Sequence, residues 1–372
     1  MYTILQWVLV GIGVFLALGT LASLTHSPHW AVRNWDFPRV QIAVAAGLCG
    51  LLYAAFYSRG RGLDWAFLAV TAATLAWQCY KIRPYTRLAS IRVRRATPET
   101  RERRADASFK LLISNVLMEN REHDRFLRVV RDNDPDVILA LETDDAWARA
   151  LEPLTRSHPH TVAHPQENYY GMMLFSRLPL VDPQVSHLVQ DDIPSIHTGI
   201  RLKSGDVVAL HGLHPRPPEP IRDQHSTPRD AELVLMGRAI GEGDRSIPTV
   251  VAGDLNDVAW SPTSELFLRL SGLLDPRMGR GFFNSFNAKN PVFRFPLDHV
   301  FHSNEFELVE LRRLDKVGSD HFPIQIELVL CPEERAKQPE TEKEPGDDEE
   351  ADDRIEEQVE AAATGDDRPA RE

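Results

Sequence analysis

Val250–Asn256 reads Val-Val-Ala-Gly-Asp-Leu-Asn, a short apolar run that delivers a carboxylate and, two positions later, an amide. Such a run has the character of a buried strand leaving its sheet, and Gly253 lets the backbone turn there. Asp254 and Asn256 then point the same way. Nearer the end of the chain stands Gly-Ser-Asp-His-Phe (Gly318–Phe322), an Asp-His pair just before another apolar run. In-line attack on phosphorus needs a group that orients or deprotonates water, positive charge to absorb developing negative charge, and donors on the phosphoryl oxygens. These two stretches carry side chains of that kind.

Working outward, apolar runs of strand length alternate with amphipathic stretches. Phe109–Ser114 predicts a strand ending at Asn115, and Arg121–Asp132 a helix with Phe126, Leu127 and Val130 on one face. Asp136–Leu141 predicts a buried strand that ends on Glu142. Met172–Phe175, Val207–Leu210, Leu297–His302 and Phe322–Leu330 are further strands, and Pro228–Ile240 is a helix. Alternation of this sort predicts an α/β fold, with the polar candidates just past strand ends, where such sheets place their sites.

Taken singly, each candidate has a bland reading: an Asn after a strand is commonly a turn residue, and a lone Glu is commonly solvated. Glu142 nevertheless follows an apolar run directly, and with Asn115 it offers the hard oxygen ligands that magnesium prefers; manganese fits the same donors. No cysteine pair favours zinc. His211 and His214 follow the Val207–Leu210 run in a proline-rich loop, and Asp298, in Leu-Asp-His, is placed to orient an imidazole. A carboxylate partner sets the tautomer of a histidine that donates to an oxyanion or acts as a base, which is the pattern offered by Asp320 and His321.

Taken in order, these pieces resemble the endonuclease/exonuclease/phosphatase superfamily. The matching segments are Ile-Ser-Asn115, Asp-Val-Ile-Leu-Ala-Leu-Glu142, Gly171–Pro179, His214-Pro, Gly-Asp254-Leu-Asn256, Leu-Asp298-His-Val and Ser-Asp320-His321. They span about 108–330. The resemblance implies a four-layer α/β sandwich, with two β-sheets face to face and helices outside. It makes Glu142 the principal metal ligand, supported by Asn115 and Asp320. Asp254 would orient or deprotonate water and Asn256 would hold the phosphoryl group. His321, paired with Asp298, would donate to a non-bridging oxygen or act as the base, and His214 would contact phosphate, with His211 the substitute if the register slips. The basic loops with which the family's nucleases grip DNA have no clear counterpart, nor do the signature loops of its inositol phosphatases.

The first 80 residues are of a different kind. Ile4–Leu24 carries no charge over 21 residues, about 31 Å as a helix and enough to cross a bilayer. Val40–Tyr57 and Trp65–Tyr80 are further uncharged runs, with Trp30, Trp35, Tyr57, Trp65 and Tyr80 at their ends, where amphipathic rings favour the interface. A cleaved signal fits poorly, since there is no basic leader and two more apolar runs follow. The expectation is about three transmembrane helices, near 4–24, 40–57 and 65–80. Three crossings put Arg33, Arg39, Lys81, Arg83, Arg87, Arg92, Arg94 and Arg95 on the side of the large domain, against Arg59 and Arg61 opposite. That asymmetry predicts a cytoplasmic domain, in an integral protein of a bacterial inner membrane.

The formal charge of −12 is unevenly spread. Residues 1–104 hold 13 Lys and Arg against 4 Asp and Glu, and residues 333–372 hold 6 against 17. The stretch between is −10, so the catalytic portion has no net footprint for duplex DNA. A basic linker at 81–107 is expected to be solvated, or to meet anionic lipid. The acidic tail at 331–372, poor in large apolar residues, is expected to be disordered. Cys49, Cys79 and Cys331 lack metal or redox spacing and are expected to be buried. The functional expectation is a membrane-anchored, divalent-metal-dependent phosphoester hydrolase, by family default a nuclease-like phosphodiesterase. The alternatives are a phospholipid or small-molecule phosphodiesterase or phosphatase, and a catalytically inactive membrane-tethered binding domain. Its partners would be the phosphoester and the bilayer, with no protein partner.

Overall fold

The computed structural model describes residues 2–218 and 225–365. Helices α1 (Tyr2–Ser23), α2 (Trp30–Arg33), α3 (Arg39–Phe56) and α4 (Gly62–Ile82) come first, followed by α5 (Pro98–Arg103). The domain then runs β1 (Ser108–Asn115), α6 (His123–Asn133), β2 (Val137–Leu141), α7 (Asp145–Leu151), β3 (His160–His164), β4 (Met172–Ser176), β5 (Leu180–Ser186), β6 (Ser195–Arg201) and β7 (Val207–Leu213). It continues with α8 (Thr227–Glu242), β8 (Thr249–Asp254), α9 (Pro262–Ser271), β9 (Asp298–His302), β10 (Phe306–Arg313), β11 (Ile324–Leu330) and α10 (Asp347–Thr364).

Two sheets form, in the strand orders β10-β11-β1-β2-β4-β3 and β5-β6-β7-β8-β9. Side chains alternate across each strand, and the alternation builds the layers. Leu111, Ile113, Leu139 and Leu141 of the first sheet meet Val208, Leu210, Val250 and Ala252 of the second in one shared core. On the other face of the first sheet, Leu112, Ile138 and Ala140 pack on Phe126, Val130 and Trp147 of α6 and α7. Val251, Leu213 and Phe301 pack on Leu233, Met236 and Phe267 of α8 and α9. The order is therefore helix, sheet, sheet, helix: the expected four-layer sandwich.

Helices α1, α3 and α4 pack together and leave a wide apolar exterior that includes Ile12, Phe15, Leu18, Val44, Leu48 and Leu51. Of these helices, α1 and α3 are long and apolar enough to cross a membrane. The third, α4, turns Thr71, Thr74 and Gln78 inward. Gln78 donates to Thr20 at 2.8 Å and accepts from Arg39 at 3.1 Å. Cys49 and Cys331 are buried as expected, but Cys79 lies on the outside of this bundle.

Two expectations are corrected. The basic 81–107 stretch is not a free linker: Tyr85 is buried with its hydroxyl donating to the Ala259 carbonyl, and along the edge of β10 the Ala96 N–H donates to the Leu308 carbonyl while the Leu308 N–H donates to that of Arg94. Nor is the acidic tail disordered through its described part. Its helix α10 packs Ala351 and Ile355 on Val234, Leu266 and Leu270. Its Arg354 reaches Asp230 at 3.1 Å, where Arg33 at 2.6 Å and Arg229 at 2.7 Å also converge. Although burial opposes ionisation, Arg229, Arg33 and Arg354 hold the Asp230 carboxyl well below the usual carboxylate range. This one carboxylate ties the helical bundle, the sandwich and the tail together. Residues 366–372 of the tail lie outside the described residues.

Candidate active site

Topology gathers the candidates at one end of both sheets. Strands β1 and β2 are parallel, as are β7 and β8, so Asn115, Glu142, His214 and Asp254 leave their strands at the same edge. Strands β9 and β11 run antiparallel to β8 and β1, so their beginnings, with Asp298 and His321, come to that edge too. Asp254 and Asp298 are register partners.

Gly253 sits at φ +152°, and a Cβ there would fall 1.9 Å from the Leu213 carbonyl oxygen. The strand end thus admits glycine alone, and Asp254 is set by it. Glu142 and Asn256 both adopt positive φ, 59° and 51°, a conformation that concentrates at functional sites. Asn256 is held by its backbone amide donating to Asp254 at 3.0 Å and by Arg229 donating to its carbonyl at 2.7 Å.

The Asn115 amide donates to Glu142 at 2.6 Å and to Asp254 at 3.0 Å. Buried His321 places Nδ1 2.7 Å from Asp298 Oδ2 and Nε2 3.4 Å from Asp254 Oδ2. Burial opposes charging this ring, but Asp254 and Asp298 outweigh it and push the imidazole up to about 10. His321 is therefore a cation at neutral pH, and a donor rather than a base. His214 lies 3.9 Å from Asp254, and burial lowers it to about 4, so it is neutral. Its Nδ1 has no hydrogen-bond partner among the described residues. Burial pushes the Glu142 carboxyl up to about 7, against the lowering effects of Asn115 and His321, with Asp254 and Asp320 adding to the rise.

These acids crowd around a single imidazolium, a surplus of negative charge that a divalent cation would relieve. Asp254, Asp298 and His321 have potential ligand atoms within 4.8 Å of one another. With the imidazolium itself unable to ligate, the donors left are the oxygens of Asp254 and, through the Asn115 amide that joins them, of Glu142, which fits a hard divalent ion.

Other candidates lie elsewhere. His211 is not at this edge: its Nδ1 is 2.8 Å from that of His197, on the strand pair β6–β7. The Asn256 amide donates to the Pro215 carbonyl at 3.0 Å, at the wall of the cleft rather than against the carboxylates. Asp320 is half-buried, with its side chain 3.4 Å from the Ser319 hydroxyl, and it acts on Glu142 and His321 through space. A cleft of about 280 Å³ opens over Glu142, His214 and Asn256 and is walled by Asn168 and Tyr170. Tyr170 packs on His214 with ring centroids 5.3 Å apart. The sequence reading missed these two wall residues; their signal was the Asn-Tyr-Tyr-Gly loop ahead of β4.

A mixed two-sheet sandwich with an Asp-His pair, a second histidine and convergent carboxylates at one sheet end defines a metal-dependent phosphoric ester hydrolase. The chain belongs to the Endonuclease/Exonuclease/phosphatase family, whose model matches residues 112–321; members of this family use divalent metals. No curated protein matches the sequence. Among solved structures, it is similar to D. rerio TDP2 complexed with single strand DNA product (TM-score 0.50, 16% identity, covering 60% of this chain and 99% of that one). It is likewise similar to an endonuclease/exonuclease/phosphatase from Bacteroides vulgatus (TM-score 0.50, 15% identity, 60% and 99% covered). A third similar structure is the human Nocturnin catalytic domain with bound sulfate (TM-score 0.49, 16% identity, 60% and 95% covered).

Proposed function

We propose that this protein is a membrane-tethered hydrolase that uses magnesium to cleave a small or lipid-borne phosphodiester. The observation that carries the substrate class is the fate of the arginines around the site. Arg229 and Arg277 are buried, the first on Asp230 and the second on Asp275 at 2.7 Å. Arg216 pairs with Asp192 at 2.5 Å. These three cations are spent inside the fold, Arg294 near the site forms no ion pair among the described residues, and Arg222 lies outside them. Duplex binding scales with the number of phosphates neutralised, so the site favours a short phosphoester over a long duplex. The tether rests on α1 and α3, with α4 as a third crossing that keeps the connector and the domain on one side, the cytoplasmic one by the charge asymmetry.

In this reading Glu142 and Asp320, with Asn115, hold the metal, which supplies charge neutralisation at the phosphoryl group. Asp254 accepts the proton of the attacking water. Asp298 fixes the ring of His321, which donates to a non-bridging oxygen. Neutral His214 offers its unpartnered Nδ1 side to the phosphoryl group, and Asn256 and Tyr170 bound the cleft. The nuclease reading draws on one feature, the Arg216 guanidinium 4.9 Å from the Tyr170 ring centroid, a pairing on which a base could stack. The test is a panel run on the full chain in detergent micelles: duplex and single-stranded DNA, RNA, sphingomyelin, phosphoinositides and bis-p-nitrophenyl phosphate, each with Mg²⁺, Mn²⁺ or EDTA. Turnover of the small or lipid esters with Mg²⁺ is expected. Preference for duplex DNA would overturn the substrate class, and full activity in EDTA would overturn the metal.

A further inference from the structure

Between Phe286 and Phe295 the chain leaves the active site, reaches the helical bundle and returns. At its base, Phe286 is bridged to both Phe295 and His321, and its ring lies 5.0 Å from that of His321. At its outer part, the Gln41 amide in the first turn of α3 donates to the Val292 carbonyl at 2.7 Å. Phe37, just before α3, meets Phe295 edge-on at 5.6 Å. The loop therefore runs from the His321 ring to the domain-side end of the bundle.

Its tip is apolar and open: Val292 is 63% exposed and Phe293 51%. Lys289, exposed, and Arg294 lie on the loop itself, and Arg294, Arg313 and Lys316 approach the Phe322 ring at 5.0, 4.4 and 5.7 Å, at the base of the loop where Phe322 bonds to Ser285. None of these four forms an ion pair among the described residues, although Asp315 and Asp320 border the group. Exposed apolar side chains at the tip, with Lys and Arg that lack ion pairs on the loop and at its base, match an anionic bilayer surface, where rings and aliphatic groups enter the headgroup boundary and cations meet lipid phosphates. The tip is continuous with the apolar exterior of α3, where Val44 and Leu48 are exposed.

We propose that the 287–294 loop is a bilayer-surface anchor: Val292 and Phe293 enter the headgroup layer, the loop's Lys289 and Arg294 engage anionic lipid phosphate, and the active-site mouth is held against the membrane. This rests on the proposed tether and adds to it that the site works on phosphoesters displayed at the bilayer surface.

The test is nitroxide depth by power saturation. The full chain carries Cys79→Ser, because Cys79 is exposed whereas Cys49 and Cys331 are buried. Single labels go at Val292→Cys, Phe293→Cys, Val44→Cys as a bundle control and Ser204→Cys as an aqueous control, in nanodiscs of phosphatidylcholine with or without phosphatidylglycerol. Labels at 292 and 293 are expected to collide with the aqueous relaxant NiEDDA about threefold less than the label at 204, and less again with phosphatidylglycerol present. If the label at 44 is in the acyl core while 292 and 293 are as wet as 204, the anchor is overturned and the tether stands. A wet label at 44 overturns the tether itself. Equal protection at 292 and 293 in lipid-free amphipol would indicate a second copy of the chain at the tip and would also overturn the anchor.

Discussion

Replacing Asp298 by Asn tests what holds the catalytic imidazole in its charged form. His321 is raised to about 10 from an unperturbed value of about 6.5. Burial opposes that rise, and two carboxylates supply most of it: Asp254 at 3.4 Å and Asp298 at 2.7 Å. Asp254 is the larger Coulombic contributor, and Asp298 adds both its charge and a direct hydrogen bond. In Asp298→Asn the imidazole should therefore titrate clearly below the parent's value of about 10. The lost orientation should cost about 10–100-fold in kcat. Above the lowered value a further loss of about tenfold per pH unit appears. The assay is Mg²⁺-dependent hydrolysis of bis-p-nitrophenyl phosphate by the full chain between pH 6 and 9.5. The parent should stay flat on the alkaline side while the variant falls. A variant whose alkaline limb matches the parent would refute the assignment of Asp298 as the group that sustains the imidazolium. The same shift bears on stability. A raised folded-state value contributes fully below about pH 6.5 and is lost as pH climbs towards 10, so the variant should lose its alkaline stability earlier.

Glu142→Gln should weaken apparent Mg²⁺ affinity by more than the 10–100-fold typical of residues that merely support a ligand, read by metal titration of activity; an unchanged midpoint would remove Glu142 from the metal site. His214→Ala should lower kcat by about 10²-fold, while His211→Ala, whose ring faces His197, stays within about threefold; the reverse order would place the phosphate contact at His211. Asp230→Asn leaves three buried guanidiniums on a neutral amide. Stranding a buried charge costs about 3–5 kcal/mol, or roughly 6–20 °C in Tm. A Tm equal to the parent's by differential scanning fluorimetry would show that the cluster is not structural.

The site was readable because Asn115, Glu142 and Asp254 directly follow short apolar runs while Asp298 and His321 come at the start of others, and the topology that brings Asp298 and His321 back to the same edge is fixed by antiparallel return strands. What escaped had no local signature. Strand β3 reads His-Thr-Val-Ala-His and β5 contains Pro183, patterns that look like loop until a neighbouring strand supplies their hydrogen bonds. Helix α10 is acidic enough to pass for disorder, yet Ala351, Arg354, Ile355 and Gln358 share one face at helical spacing. The partner that orders them, Asp230, is 124 residues from Arg354, and no window of sequence shows it. Tyr170 reads as an ordinary loop aromatic, since its role comes from packing on His214.

The three-arginine cluster on Asp230 also has a consequence for the order in which the molecule is made. Its partners lie 197 and 124 residues apart along the chain, one before the sandwich and one after it. In synthesis order Arg33 and Arg229 are available to Asp230 before Arg354 is made. The groove between α8 and α9 that will receive Ala351 is then open, with Val234 and Leu270 uncovered. The groove is covered only when the closing helix docks. A chain arrested or clipped before residue 347 would keep every residue assigned to chemistry and still present a bare apolar groove to proteases and chaperones.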